Sequence, residues 1–199
     1  MVLYNSPVSG NCYKVRLLLA QLGVPYETRE LSVVDRSDRA GVLGELNPAL
    51  RIPTVVLDDG RPLAESNAIL WFFGDGTPLV PEDRYERAQA LQWMFFEQYS
   101  HEPYIAVARF LRSYSGRAEE HAELIESKLP GGHAALQAME QHLADRAFLV
   151  SERYTVADIA LYAYTHVAPE GGFDLDPYPA LRGWLARVAS QPGHVPIDA

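Results

Sequence analysis

The sequence predicts a small mixed α/β domain followed by a larger all-helical one. Two observations carry this reading, and a third marks the join. About the first 75 residues alternate between short strand-like apolar runs and helical spacing. From Asp83 onward only helical periods are found. Between them, Gly74-Asp75-Gly76-Thr77-Pro78 and Pro81 form a turn-rich stretch. The expected division is residues 1–76, a linker at 77–83 and a helical domain over 84–199.

Met1–Tyr4 is a short apolar run that Pro7 ends, and it reads as the first strand. Cys12–Gly23 has apolar residues at helical spacing and a glycine stop. Pro25–Val33 alternates loosely and reads as a second strand. Asp35–Leu46 is polar and interrupted by Gly41 and Gly44, so irregular chain or a short helix is expected. Pro53–Leu57 is β-branched, and Asp58-Asp59-Gly60 turns it into Pro62-Leu63-Ala64, a hairpin. Glu65–Phe73 places a capping-type residue before an apolar run, the mark of a helix start. Beyond the linker, Tyr85–Tyr114 is one long helix with Pro103 as a kink. Ala118–Ala144 is a second, with a break expected near Pro130-Gly131-Gly132. Thr155–His166 and Pro179–Ser190 complete the set.

Composition narrows the function classes. The chain has 199 residues, 48% hydrophobic and 22% charged, as packed globular proteins do. Its net charge of −9 disfavours nucleic acid, whose binding begins with phosphate neutralisation. No run reaches the roughly 20 apolar residues that span a bilayer, so no membrane partner is expected. The N-terminus lacks the basic and apolar regions of a secretion signal, and a cytoplasmic location is expected. Cys12 is the single cysteine, which excludes an intrachain disulfide and fits a reducing compartment. The six histidines are scattered, without a cysteine or carboxylate cluster at ligand spacing, so no metal is expected.

Three short elements carry chemistry. Ser9-Gly10-Asn11-Cys12 lies where the first strand gives way to the first helix. A Ser9 hydroxyl there either caps the helix or stabilises a bound thiolate, since the orphan amides of a helix N-terminus favour negative charge. In Arg51-Ile52-Pro53-Thr54 the proline precedes a strand; trans is the default, although some ligand-binding turns require cis. In Glu65-Ser66-Asn67-Ala68-Ile69, Ser66 caps the helix or offers hydroxyl and amide to a ligand carboxylate. Glu65 beside it can accept from a ligand ammonium group.

Taken together, in this order and spacing, the three elements resemble the glutathione transferase family over essentially the whole chain. The resemblance implies a thioredoxin-like N-terminal domain followed by a helical-bundle domain. It implies glutathione as co-substrate, with Ser9 at the thiol-activating position and a cis turn at Ile52-Pro53, next to Arg51. The backbone of that turn would pair with the cysteinyl part of glutathione, and Glu65-Ser66 would hold its γ-glutamyl end. Thr155-Val156-Ala157-Asp158 matches the family's capping box, a folding element.

Departures from the family pattern are informative. Serine stands where one bacterial class has cysteine, which rules out a mixed disulfide at that position. Tyr4 reads as a first-strand residue, and Cys12 as a buried small hydrophobe. Some bacterial relatives with disulfide-reductase activity carry asparagine two residues after the first hydroxyl, as Asn11 is here. Its amide can donate to the thiolate instead of, or alongside, Ser9. The resemblance places an electrophile or peroxide site along Phe95–Val107, with Tyr104 as a candidate pocket residue, and implies a homodimer. Transferase, glutathione-dependent disulfide or peroxide reductase, and a noncatalytic binding or regulatory protein of the same fold remain the three candidate functions.

Overall fold

The first strand, β1 (Val2–Asn5), alternates its side chains between two faces of a small sheet, and both faces are covered. Leu3 points to one face, where it meets Val15 and Leu19 of α1 (Gly10–Leu22), Val55 of β3 (Thr54–Val56) and Ile69 of α3 (Ser66–Gly74). Tyr4 points to the other, with Leu31 and Leu43 of α2 (Arg39–Leu43). The Arg29 guanidinium lies 5.8 Å from the Tyr4 ring centroid. Tyr4 is therefore a core residue, as its place in an apolar run suggests.

The computed structural model describes residues 1–199, and its sheet runs in the order β2-β1-β3-β4. Strand β2 (Glu27–Glu30) pairs parallel with β1 across the α1 crossover, while β3 pairs antiparallel with both β1 and β4 (Pro62–Ala64). β2 is shorter than the expected Pro25–Val33, and all four of its residues are exposed along a charged edge. This mixed sheet with helices on both faces is the thioredoxin-like arrangement.

Met1–Thr77 and Pro192–Ala199 form one compact unit, and Pro78–Gln191 forms the other. The tail corrects the expectation that 84–199 belongs wholly to the helical domain. The Tyr13 hydroxyl donates to the Val195 carbonyl at 2.7 Å, and Arg16 donates to that of Ile197. Gly193, at φ +72, passes so close to α1 that a Cβ would sit 2.9 Å from Gln21 Cα. The tail thus answers polar groups on α1, a long-range pairing with no local sequence signal.

In the helical unit the expected long helix is three pieces, α4 (Arg84–Phe96), a π-helical turn (Glu97–His101) and α5 (Glu102–Ser113). The ladder opens one turn before the expected kink, with the Glu102 amide reaching back to the Glu97 carbonyl. Pro103 follows in the first turn of α5, where a missing N–H costs least. Helix α6 (Ala122–Leu143) runs through Pro130 without the expected break. Packing overrides propensity there, because the next two residues let aromatic rings close on the helix. A Cβ at Gly131 would meet Tyr104 Cε1 at 2.2 Å, and one at Gly132 would meet Phe173 Cε1 at 2.2 Å. No helix is long and apolar enough to cross a membrane.

Asp158 is the polar centre of this unit. Thr155 caps α7 (Val156–Thr165) by accepting from the Ala157 amide, and Asp158 accepts in turn from the Thr155 amide at 2.9 Å. The same carboxylate accepts from Leu149 N at 3.0 Å and from Trp184 Nε1 of α8 (Pro179–Ala189) at 2.8 Å. Burial pushes its pKa up from 3.8 to about 6, against the pull of these donors. A proton therefore binds more tightly in the fold than in the unfolded chain. The stability this supplies is fully present below pH 3.8 and is lost as the pH rises through about 6. Asp158→Asn brings two donor hydrogens where the protonated acid brings one, and should cost about 1–3 kcal/mol at acid pH, a fall of several degrees in Tm. Denaturant titrations of wild type and variant from about pH 4 to pH 7 should show the wild-type advantage narrowing as the pH rises.

Candidate functional site

Sheet register brings the three sequence elements to one end of the first unit. Tyr4 of β1 lies opposite Thr54 of β3, and Thr54 lies opposite Ala64 of β4. The loop leaving β1, the residues entering β3 and the residues leaving β4 therefore emerge side by side. Those segments hold Ser9, Ile52-Pro53 and Glu65-Ser66.

Ser9 is the N-cap of α1, with extended backbone and a side chain that accepts from the Cys12 amide at 3.3 Å. A serine hydroxyl can accept from a helix amide and donate its own proton at once. Cys12 behind it is wholly buried, and desolvation pushes its thiol up to about 11 despite the Ser9 side chain beside it. The thiol is held protonated at neutral pH, which suits the packing role and not a nucleophile.

The peptide between Ile52 and Pro53 is cis, the state the resemblance implies and not the trans default. Asn47, buried beneath it, donates from Nδ2 to the Arg51 carbonyl at 3.0 Å and to Thr54 Oγ1 at 3.1 Å. Thr54 Oγ1 in turn donates to the Arg51 carbonyl at 2.9 Å. The turn is thus braced from inside while Arg51 keeps its side chain exposed and Ile52 is half-buried.

Glu65 is exposed and takes φ +68 and ψ 114, a conformation rare for any side chain but glycine. Ser66 then begins α3, but it does not cap it as its sequence position suggests. Its hydroxyl turns inward, donating to Asn11 Oδ1 at 3.0 Å and accepting from Lys14 Nζ at 3.3 Å. Lys14 Nζ also reaches Asn11 Oδ1 at 2.8 Å. Asn11, Lys14 and Ser66 therefore form one polar cluster at the N-terminal end of α1.

Tyr104 belongs to the helical unit, where its ring sits on Gly131 with Lys128 Nζ 5.7 Å from the ring centroid.

Sequence reasoning passed over Asn47, Lys14 and Arg16. Arg16 is buried and donates to Asn5 Oδ1 at 2.9 Å, the Ser6 carbonyl at 3.2 Å and the Pro7 carbonyl at 3.1 Å, bracing the loop that carries Ser9. A signal for the two cations was present: both interrupt the apolar run of α1, where a charge is costly unless it has partners.

Residues 8–75 match the family described as the glutathione S-transferase N-terminal domain, and residues 93–192 match its C-terminal domain. Glutathione S-transferase D7 of Anopheles gambiae is 32% identical, over 96% of this chain and 86% of its own. The disulfide-bond oxidoreductase YfcG of Escherichia coli K12 is 26% identical, over 96% of this chain and 90% of its own. Among solved structures, a glutathione S-transferase from Pseudomonas fluorescens Pf-5 superposes with a TM-score of 0.95 at 49% identity, covering 98% of each chain. Two family domains in the expected order, on the sheet and helical unit described above, leave one assignment: the chain belongs to the glutathione S-transferase family.

Proposed function

We propose that this protein binds glutathione through its N-terminal unit and ionises the thiol for attack on an electrophilic or peroxide substrate. The observation that carries this reading is the convergence of the Ser9 cap, the cis Ile52-Pro53 turn and Ser66 at one end of the sheet. In this reading the peptide backbone of glutathione pairs along the turn at Arg51-Ile52-Pro53. Its γ-glutamyl carboxylate meets the start of α3, which the Glu65 side chain does not cap. Glu65, exposed beside them, accepts from the γ-glutamyl ammonium group. The thiolate lies at the N-terminus of α1, where Ser9 donates to it and the helix dipole adds to the stabilisation.

Asn11 supports a second reading, glutathione-dependent disulfide or peroxide reduction. Its Oδ1 takes two donors, Lys14 and Ser66, which fixes that atom as the carbonyl oxygen and gives the carboxamide a defined orientation. An oriented amide donor suits thiolate stabilisation. The likeness to a disulfide-bond oxidoreductase points the same way.

A charge-assisted hydrogen bond contributes about 1.5–3 kcal/mol, so losing the chief thiolate donor should lower kcat/KM about 10- to 100-fold. Ser9→Ala should show that loss with an aryl halide and with a peroxide, while calorimetry finds glutathione bound within a few-fold of wild type. If Asn11→Ala carries the larger loss, the reductase reading takes its place. Wild-type protein that binds no glutathione overturns both and leaves a noncatalytic protein of this fold.

The proposed assembly is a homodimer in the cytoplasm. Leu91, Phe95 and Tyr99 follow one another at four-residue spacing along α4 and the π-helical turn. They are 36%, 70% and 86% exposed, an apolar strip that water covers poorly. A second copy of the chain would bury it. Light scattering should give a dimer for wild type and a monomer for Phe95→Glu combined with Tyr99→Glu; a monomeric wild type removes the proposal.

A further inference from the structure

The Lys14 side chain lies in the N-terminal unit with no exposed surface, one turn into α1. Burying an amine is costly, and a helix whose neighbouring positions are Val15, Leu17, Leu18 and Leu19 would pack well with an aliphatic residue in its place. What Lys14 does with its donors therefore matters. One hydrogen bond holds Asn11 Oδ1 at 2.8 Å, three residues back on the same helix. Another reaches Ser66 Oγ at 3.3 Å, on the first residue of α3. Ser66 closes the triangle by donating to Asn11 Oδ1 at 3.0 Å. A single amine thus ties the helix proposed to face the thiol to the helix proposed to face the γ-glutamyl carboxylate.

We propose that Lys14 is the positioning residue of the glutathione site, setting the Asn11 carboxamide and the Ser66 hydroxyl together. This rests on the glutathione-binding reading above and deepens it. With Oδ1 held by two donors, the Asn11 carboxamide has one orientation, and its Nδ2 lies on the other branch of the same planar group. With its hydroxyl committed to Asn11, Ser66 meets a ligand carboxylate through its backbone amide. Lys14 acts through these two groups and does not itself touch the ligand. Its charge, within one turn of the helix start, adds to the potential that favours a bound thiolate.

Lys14→Met keeps the length and apolar body of the side chain and removes its donors and charge. Binding of glutathione by calorimetry, and the pH dependence of thiolate absorbance in the complex, are measured on wild type, Lys14→Met, Asn11→Ala and the double variant. The proposal expects Lys14→Met to weaken binding about tenfold and to move the thiolate titration to higher pH by about one unit. It also expects the two losses to be less than additive when Lys14→Met is added to Asn11→Ala, because they share the Lys14–Asn11 contact. A folded Lys14→Met with wild-type affinity and titration overturns the proposal, as does full additivity with Asn11→Ala. Should Lys14→Met not fold, Lys14→Gln, which keeps one N–H donor for Asn11, is judged by the same titration. Wild-type protein that fails to bind glutathione defeats the underlying reading instead, and calorimetry on wild type alone distinguishes that case.

Discussion

Helix α1 carries two cationic side chains, Lys14 and Arg16, into the interior of an α/β layer, and the rest of the N-terminal unit is arranged around meeting them. A buried charge must find hydrogen-bonding partners or it destabilises the fold by several kcal/mol. Arg16 gathers the side chain of Asn5, the carbonyls of Ser6 and Pro7, and the returning tail at Ile197. Lys14 gathers Asn11 and Ser66. The loop that presents Ser9, the start of α3 and the last residues of the chain are therefore held by one short helix. The apolar contacts of Leu3, Val15, Leu19, Val55 and Ile69 stack the layers but are non-directional. The cations supply the direction.

The helical unit meets an equivalent constraint with a carboxylate. Asp158 is wholly buried and joins the α7 cap, the Leu149 amide and the Trp184 indole. Each donor would be costly to leave unpaired in the core, so one acid settles three segments at once. Its partners Leu149, Thr155 and Trp184 all belong to its own unit, which agrees with a folding role.

In the candidate site, the residues proposed to meet a ligand also have structural roles. Ser9 caps a helix, Ser66 is hydrogen-bonded inward, and Asn11 is pinned by two donors. None of these roles opposes ligand binding. Groups with fixed hydrogen-bond geometry require little reorganisation when a ligand arrives, and a helix N-terminus favours a carboxylate or thiolate. Cys12 differs: burial keeps its thiol protonated, so the chain's single sulfur belongs to the core.

The sequence by itself determined the order of the main elements, the two-part division, the helix starts at Ser9 and at Glu65-Ser66 and the turn at Pro53, because caps, turns and hydrophobic periods are local signals. The Thr155–Asp158 box was legible for the same reason. Tertiary structure decided what depends on distant partners. Ser66 turns away from capping because Asn11, 55 residues earlier, accepts its proton. Pro130 stays inside α6 because Tyr104 and Phe173 close on the glycines that follow it. The tail joins the first unit because Tyr13 and Arg16 bind its carbonyls. Lys14 showed in sequence only as a charge in an apolar helical run. Which atoms it holds was fixed by sheet register, which brings the ends of β1, β3 and β4 together, and no local pattern encodes that.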